Sequence, residues 1–443
     1  MPCKLPKKID RVVKVGILGL GTVGSGAAKI LIEHSDLIAL RAMPIKLIRV
    51  VDKDIPKAQK LLDSLGLNDI PVSDNWQDLV NDDSIDIMIE VVGGIQMPYE
   101  AISAALKKGK SVVTANKDLI ASHGGELLSI AEEFATDLFF EASVAGGIPI
   151  IQVMKESLAA NRFVQIMGIV NGTTNYILTS MAEKGASFEE ALQEAQKLGY
   201  AEADPTNDVE GYDAARKIAI LASIAFNSRV TDDMVPVEGI THISDWDIKY
   251  ATEFGYVIKM LGIAKEDENG IEVRVHPAMI PQSHPLASVR DSFNAIFVEG
   301  DVLGEAMFFG RGAGSLPTGS AIVGDVIAAA RNICHNSKSR WGCTCFMEKK
   351  VKTIDQTNSK YYVRIKVFDQ PGVFAAITKI LGEENVSMDS VMQKRRISED
   401  KAEIVLVTHQ VNHADMMRSI DRIRNLSCVA NIANIIRVEE REA

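Results

Sequence analysis

Residues 12–33 read VVKVGILGLGTVGSGAAKILIE, and the fold turns on them. An apolar run, Val12–Gly19, meets the turn Gly19-Leu20-Gly21-Thr22-Val23-Gly24 and continues as a helical pattern, Thr22–Glu33. The spacing is G-x-G-x-x-G between a strand and a helix, the context in which it carries meaning. The first glycine permits a tight turn, the second lets a pyrophosphate approach the backbone, and the third lets helix pack on strand. Unpaired N–H groups at the helix N-terminus offer phosphates a partial positive charge. Gly19, Gly21, Thr22, Val23 and Gly24 are therefore expected to hold a dinucleotide; the alternative is a glycine-rich turn that binds nothing.

Further apolar runs follow at Ile45–Asp52, Ile85–Val92, Ser111–Ala115 and Leu138–Ala142. Amphipathic helical patterns separate them at Pro56–Leu65, Pro98–Lys108 and Gly124–Thr136. Such alternation predicts βαβ units around a parallel sheet covered on both faces. Asp52 ends the second strand, where an acid meets the adenosine ribose. Lys53 and Lys57 follow closely and are positioned for a 2′-phosphate, or form a solvated cluster, so NAD and NADP both stay open. Asn116-Lys117 closes the fourth strand, on the side of the sheet where ligands sit.

From Val144 the texture becomes α+β. Helical patterns cover Asn175–Lys184, Phe188–Leu198 and Tyr212–Phe226. Two hairpins are expected around Glu268-Asn269-Gly270 and Gly300-Asp301. Arg311-Gly312-Ala313-Gly314 leads into a last helix. Polar composition across Trp341–Lys360 reads as a linker, and Tyr361–Ala443 shows the β-α-β-β-α-β order of a ferredoxin-like unit. The expected domains are 1–143 with a returning helix at 317–335, then 144–316, a linker at 336–360, and 361–443.

Composition sets outer limits. The 443 residues carry 48 basic and 59 acidic side chains, a net charge of −11. That argues against nucleic acid as a partner, because phosphate-backbone binding needs a basic patch. No run reaches about 18 uncharged apolar residues, so no membrane span is expected. The N-terminus lacks a signal-type apolar region. Five cysteines make no disulfide framework, and Cys343 with Cys345 forms a lone C-x-C without a partner pair. A reduced, cytoplasmic protein is the expectation.

The acids cluster in LGYAEADPTNDVEGYDAARK at 198–217. Acids ahead of a helix often serve only as caps and dipole complements. Asp213 and Lys217, four apart, share one helix face, either as a surface ion pair or as a site pair. Asn171-Gly172-Thr173-Thr174-Asn175 precedes a helix and either caps it or holds an anionic group.

Taken together these blocks resemble homoserine dehydrogenases. The resemblance rests on GLGTVG at 19–24, Asn116-Lys117, EASVAGGIPII at 141–151, GIVNGTTNYIL at 168–178, the 198–217 block and GRGAGSLPTGSA at 310–321. Asp369-Gln370-Pro371-Gly372-Val373-Phe374 resembles an ACT regulatory domain. The resemblance implies a Rossmann-type doubly wound parallel sheet, an α+β domain for substrate and dimerisation, and a C-terminal ferredoxin-like ACT domain. It implies NAD(P)-dependent interconversion of L-aspartate 4-semialdehyde and L-homoserine. Lys217 matches the acid–base lysine, oriented by Asp213, with Lys117 as its companion. Glu202 and Asp208 match substrate-side carboxylates, and Gly312 and Gly314 join the cofactor set. Glu141, Val144, Gly146 and Ile148 match the positions around a monovalent cation, Na+ or K+. Asp369, Gly372 and Val373 match the ACT ligand loop, with L-threonine as effector, and the antiparallel middle strands with the ACT unit suggest a homodimer or homotetramer. One departure stands out: Val51 occupies the position where many members carry an NADP-serving arginine. Two alternatives stay open, a dehydrogenase of another amino-acid semialdehyde and a non-catalytic nicotinamide sensor.

Overall fold

The computed structural model describes residues 11–337, 342–398 and 400–440. Cys3, the N-terminal stretch read for a targeting signal and residues 338–341 of the expected linker lie outside the described residues. The chain divides into two compact units. One comprises Met1–Phe163, Ala219–Asp232 and Gly300–Glu348; the other comprises Val164–Ile218, Asp233–Glu299 and Lys349–Ala443.

The first unit is built on six parallel strands: β1 (Val13–Leu18), β2 (Ile45–Val51), β3 (Val72–Ser73), β4 (Ile87–Glu90), β5 (Ser111–Thr114) and β6 (Leu138–Phe139). Their order is β3-β2-β1-β4-β5-β6. The direction of winding reverses between β1 and β4, which places the glycine loop at a topological switch point. Val13, Val15, Ile17, Ile87, Ile89, Val112 and Val113 are fully buried, as continuous hydrophobic strands in a doubly covered sheet must be. Helix α1 (Thr22–Glu33) follows β1, and α2 (Lys117–Glu133) follows β5. A long helix, Ser315–Cys334, crosses α1 at backbone contact: a Cβ on Gly26 would lie 2.1 Å from the Ser315 carbonyl oxygen. The fifth apolar run is shorter than its composition suggests, because the chain leaves the sheet into a 3-10 turn at Glu141–Ser143.

The second unit begins with β7 (Phe163–Ile169), followed by helices α3 (Gly172–Lys184), α4 (Tyr212–Ala225) and α5 (Asp245–Glu253). The second half of α4 belongs to the first unit. A long hairpin follows, β8 (Tyr256–Asp267) and β9 (Gly270–Pro281), paired in register from Tyr256–Pro281 down to the turn at Asp267–Gly270. Next comes β10 (Phe293–Gly300); β11 (Gly304–Arg311), beyond the other expected turn, belongs to the first unit. The C-terminal part contributes β12 (Asn358–Phe368), β13 (Met388–Ser398), β14 (Lys401–Thr408), the short β15 (Val411–Asn412) and β16 (Val429–Val438). Helices Val373–Glu383 and His413–Arg424 pack on this part over Val363, Ile365, Ile377, Ile404, Leu406, Met416 and Ile420.

The C-terminal part is no bead on a string. Strand β16 pairs in parallel with β9 through Arg437–Ala278 and Val438–Met279, so one sheet runs β10-β7-β8-β9-β16-β12-β14-β13. Under it lies a buried polar cluster. The Arg364 guanidinium holds both Asp247 oxygens, at 2.8 and 3.0 Å, and Glu403 at 3.0 Å. Asp247 and Glu403 are 0% exposed. Asn434 and Ser244 also donate to Asp247, and the Tyr250 hydroxyl donates to Glu403. Burial alone would raise the Asp247 pKa, but the hydrogen bonds and charge of Arg364 hold it below the usual carboxylate range.

The stretch expected as a linker does not hang free. The Met347 N–H donates to the Asn227 carbonyl, and residues 350–352 exchange hydrogen bonds with Ile271 on β9. Its backbone is pinned, and part of its charge is held in ion pairs: Lys352 is buried against Asp267 and Lys349 pairs with Glu266, while Glu348 and Lys350 are exposed. Polarity of composition alone could not separate these two conditions.

Candidate active site

The glycine loop has the geometry its spacing implies. Gly19 has φ +97°, and a Cβ there would lie 2.6 Å from Val92 and 3.0 Å from the Val91 backbone. A Cβ on Gly24 would lie 2.0 Å from the Gly19 carbonyl oxygen, so the third glycine is where α1 packs on the turn. Gly21 differs: nothing stands within 4 Å of its Cβ position, which is the open approach a pyrophosphate needs. Gly21 caps α1 with no side-chain hydrogen bond, and Thr22 and Val23 open the helix. The Asp52 carboxylate reaches back to the loop, accepting from the Leu20 N–H at 2.6 Å and the Asp54 N–H at 2.9 Å. Lys53 and Lys57 are exposed beside it, and Val51 is buried.

At the end of β5, Asn116 caps α2 by accepting from the Leu119 N–H, and donates to the Gly94 carbonyl. Lys117 is the first residue of that helix and is half-buried. Beside it Glu90, fully buried at the end of β4, accepts from the Thr114 hydroxyl at 2.6 Å and the Val92 N–H at 2.9 Å. Burial pushes its pKa up against those hydrogen bonds. Sequence reading passed over Glu90, and the available signal was a single acid in an otherwise apolar strand.

The segment 141–150 turns sharply through positive φ at Ala145 and Gly146. A Cβ on Gly146 would lie 2.4 Å from the Gly312 carbonyl oxygen, so the close approach of two backbones requires glycine there. Gly312 thus stands against the 144–148 turn, while Gly314, at φ +121°, lies beside Pro317. The Glu141 carboxylate is committed as a cap. It accepts from the N–H groups of Ile150, Ile151 and Gln152 at 2.6, 2.8 and 2.7 Å.

The second unit gathers Asp208 and Asp213 of the 198–217 block around one asparagine. The Lys217 ammonium donates to Asp213 at 2.6 Å and to the Val170 carbonyl at 2.8 Å. The two side chains are 11% and 8% exposed, so this is a partly desolvated pair and not a surface one. Asn171 caps α3, accepting from the Thr174 N–H, while its amide donates to Asp208 at 2.6 Å and to Asp213 at 2.9 Å. Thr173 adds a hydroxyl against Asp208 and the Tyr200 carbonyl. Burial raises the Asp208 pKa and the nearby Asp213 charge adds to that, opposed by Asn171, Lys217 and Thr173. Glu202 stands apart from this cluster: its side chain is exposed, and its carbonyl accepts from Gln196. Asn171 and Thr173 were legible as helix caps or as donors to an anionic group, and their part in joining the two aspartates was not.

In the C-terminal part, Asp369 and Gly372 lie in an exposed turn after β12. Gly372, at φ +90°, caps the helix that begins with the buried Val373. Among the described residues no group of three or more His, Cys, Asp or Glu side chains is arranged to hold a metal. Among them, too, no helix is long and apolar enough to cross a membrane.

Comparison with known proteins extends this picture. Family models match at 19–141 (homoserine dehydrogenase, NAD binding domain), 149–327 (homoserine dehydrogenase) and 361–427 (ACT domain). The homoserine dehydrogenase of Bacillus subtilis is 42% identical over 434 residues, covering 97% of this chain and 99% of its own. The crystal structure of a homoserine dehydrogenase from Thiobacillus denitrificans superposes with a TM-score of 0.91 at 40% identity, covering 97% of this chain and 99% of that one. A hyperthermophilic archaeal homoserine dehydrogenase in complex with NADPH matches 72% of this chain and 98% of its own, with a TM-score of 0.60 at 29% identity. With a glycine loop open at Gly21, a desolvated lysine–aspartate pair and matches along nearly its whole length, the chain belongs to the homoserine dehydrogenase family and carries a C-terminal ACT domain.

Proposed function

We propose that this chain catalyses the reversible, nicotinamide-dependent reduction of L-aspartate 4-semialdehyde to L-homoserine. The observation that carries the proposal is the Asp213–Lys217 pair, held at 2.6 Å with little exposure on a helix the family model covers. When bound, the reduced cofactor supplies the hydride. The chain's own task is the proton: as the aldehyde carbon is reduced, its oxygen becomes an alkoxide that needs one. Two of the Lys217 ammonium hydrogens have acceptors among the described residues, Asp213 and Val170, leaving a third direction for the substrate oxygen. Asp213 fixes the orientation and balances the charge, and Asn171 ties Asp213 to Asp208. In the reverse direction the deprotonated amine takes the hydroxyl proton. Lys117 supplies a second cation toward the carbonyl oxygen or the cofactor, and Asp208 and Glu202 receive the substrate amino group. Replacing Glu202 separates this substrate from semialdehydes that lack an α-amino group.

NAD and NADP are both proposed as cofactors. The loop at 19–24 and Asp52 serve either, and the exposed Lys53 and Lys57 substitute for the arginine that Val51 lacks. L-Threonine is proposed at the ACT turn, Asp369–Val373. A Na+ or K+ ion is proposed at the 141–148 turn. Because the Glu141 carboxylate is committed to three N–H groups, the backbone carbonyls, with Val144, Gly146 and Ile148 among them, are the donors that suit a hard cation. A homodimer or homotetramer is proposed on the strength of β11, where Met307 and Phe309 are exposed.

The test is absorbance of reduced nicotinamide with L-homoserine and NAD, then NADP, with and without L-threonine and with Na+ or K+. Lys217→Ala should lower kcat by about 10²-fold or more. Equal turnover by that variant would overturn the assignment, and binding of cofactor without turnover by the unaltered chain would favour a sensor.

A further inference from the structure

The lone C-x-C that the function leaves unused is built into the first unit as a cationic thiol site. Cys343 and Cys345 lie side by side, and the Cys345 N–H points at the Cys343 sulfur at 3.4 Å. The chain bends between them, with the Phe346 N–H on the Thr344 carbonyl. Both thiols are partly exposed and line a small cavity of about 30 Å³ with Phe140, Lys155, Ser223 and Arg229. Lys155 donates to the Gly342 carbonyl at 3.0 Å and lies over the Phe140 ring. It is presented by a wide π-helical turn, Val153–Ser157, a local irregularity frequent at functional sites. Among the described residues, the charged groups that act most on the thiols are Lys155 and Arg229, both cationic. Their charge, after the hydrogen bond from Cys345, pulls the Cys343 thiol down to about 6, while desolvation brings Lys155 to about 8. Cys334, partly exposed elsewhere in the same unit, has its thiol pushed up by burial and serves as an internal reference.

We propose that Cys343 is a nucleophilic thiol and Cys345 its resolving partner, together forming a site for reversible oxidation by small disulfides. The Cys343 thiolate attacks one sulfur of RSSR; a Cys343–SR bond forms, and RS⁻ leaves and takes a proton from water. Cys345 then gives up its proton and attacks the Cys343 sulfur, closing Cys343–Cys345 and expelling the second RS⁻. Two protein thiols are oxidised by two electrons, and RSSR is reduced to two RSH. The ring so closed is small, which makes the bond easily reopened by thiols. Closure also draws Cys345 from the Ser223 carbonyl, which its thiol now meets at 3.6 Å. Ser223 lies on α4, the helix of Lys217, and Arg229 holds the Ser122 carbonyl on α2, the helix that Lys117 opens. Oxidation is therefore expected to reach the back end of α4 and the first half of α2, the two helices that carry the proposed catalytic lysines.

The experiment treats the purified full chain with glutathione disulfide and maps thiols by peptide mass spectrometry. The chemical readout stands independently of the catalytic proposal. The expected product is a Cys343–Cys345 linkage reversed by dithiothreitol, with a stable glutathione adduct on Cys343 in Cys345→Ser and none at that site in Cys343→Ser. With iodoacetamide at pH 7, Cys343 should react about five- to tenfold faster than Cys334, since its larger thiolate fraction outweighs its lower intrinsic nucleophilicity. Its rate should level off above pH 7 while that of Cys334 keeps rising. Reaction of Cys343 no faster than Cys334, or absence of the linkage in the unaltered chain, would overturn the proposal.

Discussion

Replacing Gly21 and Gly24 by alanine, one at a time, separates what the glycine loop does for the ligand from what it does for the fold. Gly21 has φ −69° and an empty Cβ position, so alanine fits the folded backbone. Its effect on stability should be within about 0.5–1 kcal/mol, and favourable if anything, because the unfolded chain loses freedom. The added methyl instead occupies the space through which phosphate oxygens reach the N–H groups at the start of α1. Hydrogen bonds to a charged partner contribute about 1.5–3 kcal/mol each. Losing one should raise the dissociation constant for NADPH about ten- to hundredfold, since 1.4 kcal/mol is about tenfold. Gly24→Ala is the reverse case. Its Cβ would stand 2.0 Å from a carbonyl oxygen of the same loop, backbone that cannot swing aside. A cost of about 3 kcal/mol is expected, enough to lower Tm by several degrees. Fluorescence titration with NADPH and scanning calorimetry read the two quantities. A Gly21→Ala protein that binds NADPH as tightly as the parent would refute the pyrophosphate path, and an undiminished Tm for Gly24→Ala would refute the packing argument.

Asp213→Asn preserves shape but removes the charge beside Lys217; kcat should fall about 10²-fold with KM little changed, as steady-state kinetics would show. Glu141→Ala strips the acceptor from three N–H groups, two of them buried, and should cost about 2–4 kcal/mol in urea unfolding; an unchanged midpoint would mean that water replaces the cap. Arg364→Met leaves Asp247 and Glu403 buried without their cation and should cost about 3–5 kcal/mol, read in the same way. The pH dependence follows from Asp247 and Glu439, whose folded pKa values are depressed: burial opposes ionisation, but Arg364 and Arg274 respectively overcome it. The unfolded chain then binds more protons on acidification, so this stability is full above the unfolded carboxyl values of about 4 and is lost as pH falls through the folded ones. Urea midpoints that stay level from pH 6 down to pH 3 would contradict it.

Much of the architecture was legible because it is written in short-range patterns. Apolar runs alternating with amphipathic stretches named the parallel sheet, and the glycine spacing placed the loop. Glu268-Asn269-Gly270 marked the β8–β9 turn, and the order of elements after Tyr361 marked the C-terminal unit. Each element in these patterns is signalled within a dozen residues or so, the range over which backbone preference and hydrophobic period act.

The chemistry of the site was only half legible. Spacing put Asp213 and Lys217 on one helix face, yet left a surface ion pair as an equal reading. Their low exposure, and the Asn171 amide that bridges Asp213 to Asp208 from 42 and 37 residues away, decided for a buried cluster. Glu141 acting as a helix cap across nine to eleven residues, and Glu90 buried at the strand end, were equally beyond reach. So was the fusion of the C-terminal sheet to β9 through β16, clasped by Arg364 on Asp247 across 117 residues. The sequence by itself determined which elements form, where the dinucleotide loop lies and which residues are chemically capable. Tertiary structure alone decided which of them meet and lose water, because burial and hydrogen bonding between distant segments depend on how helices and strands pack, which no local period records.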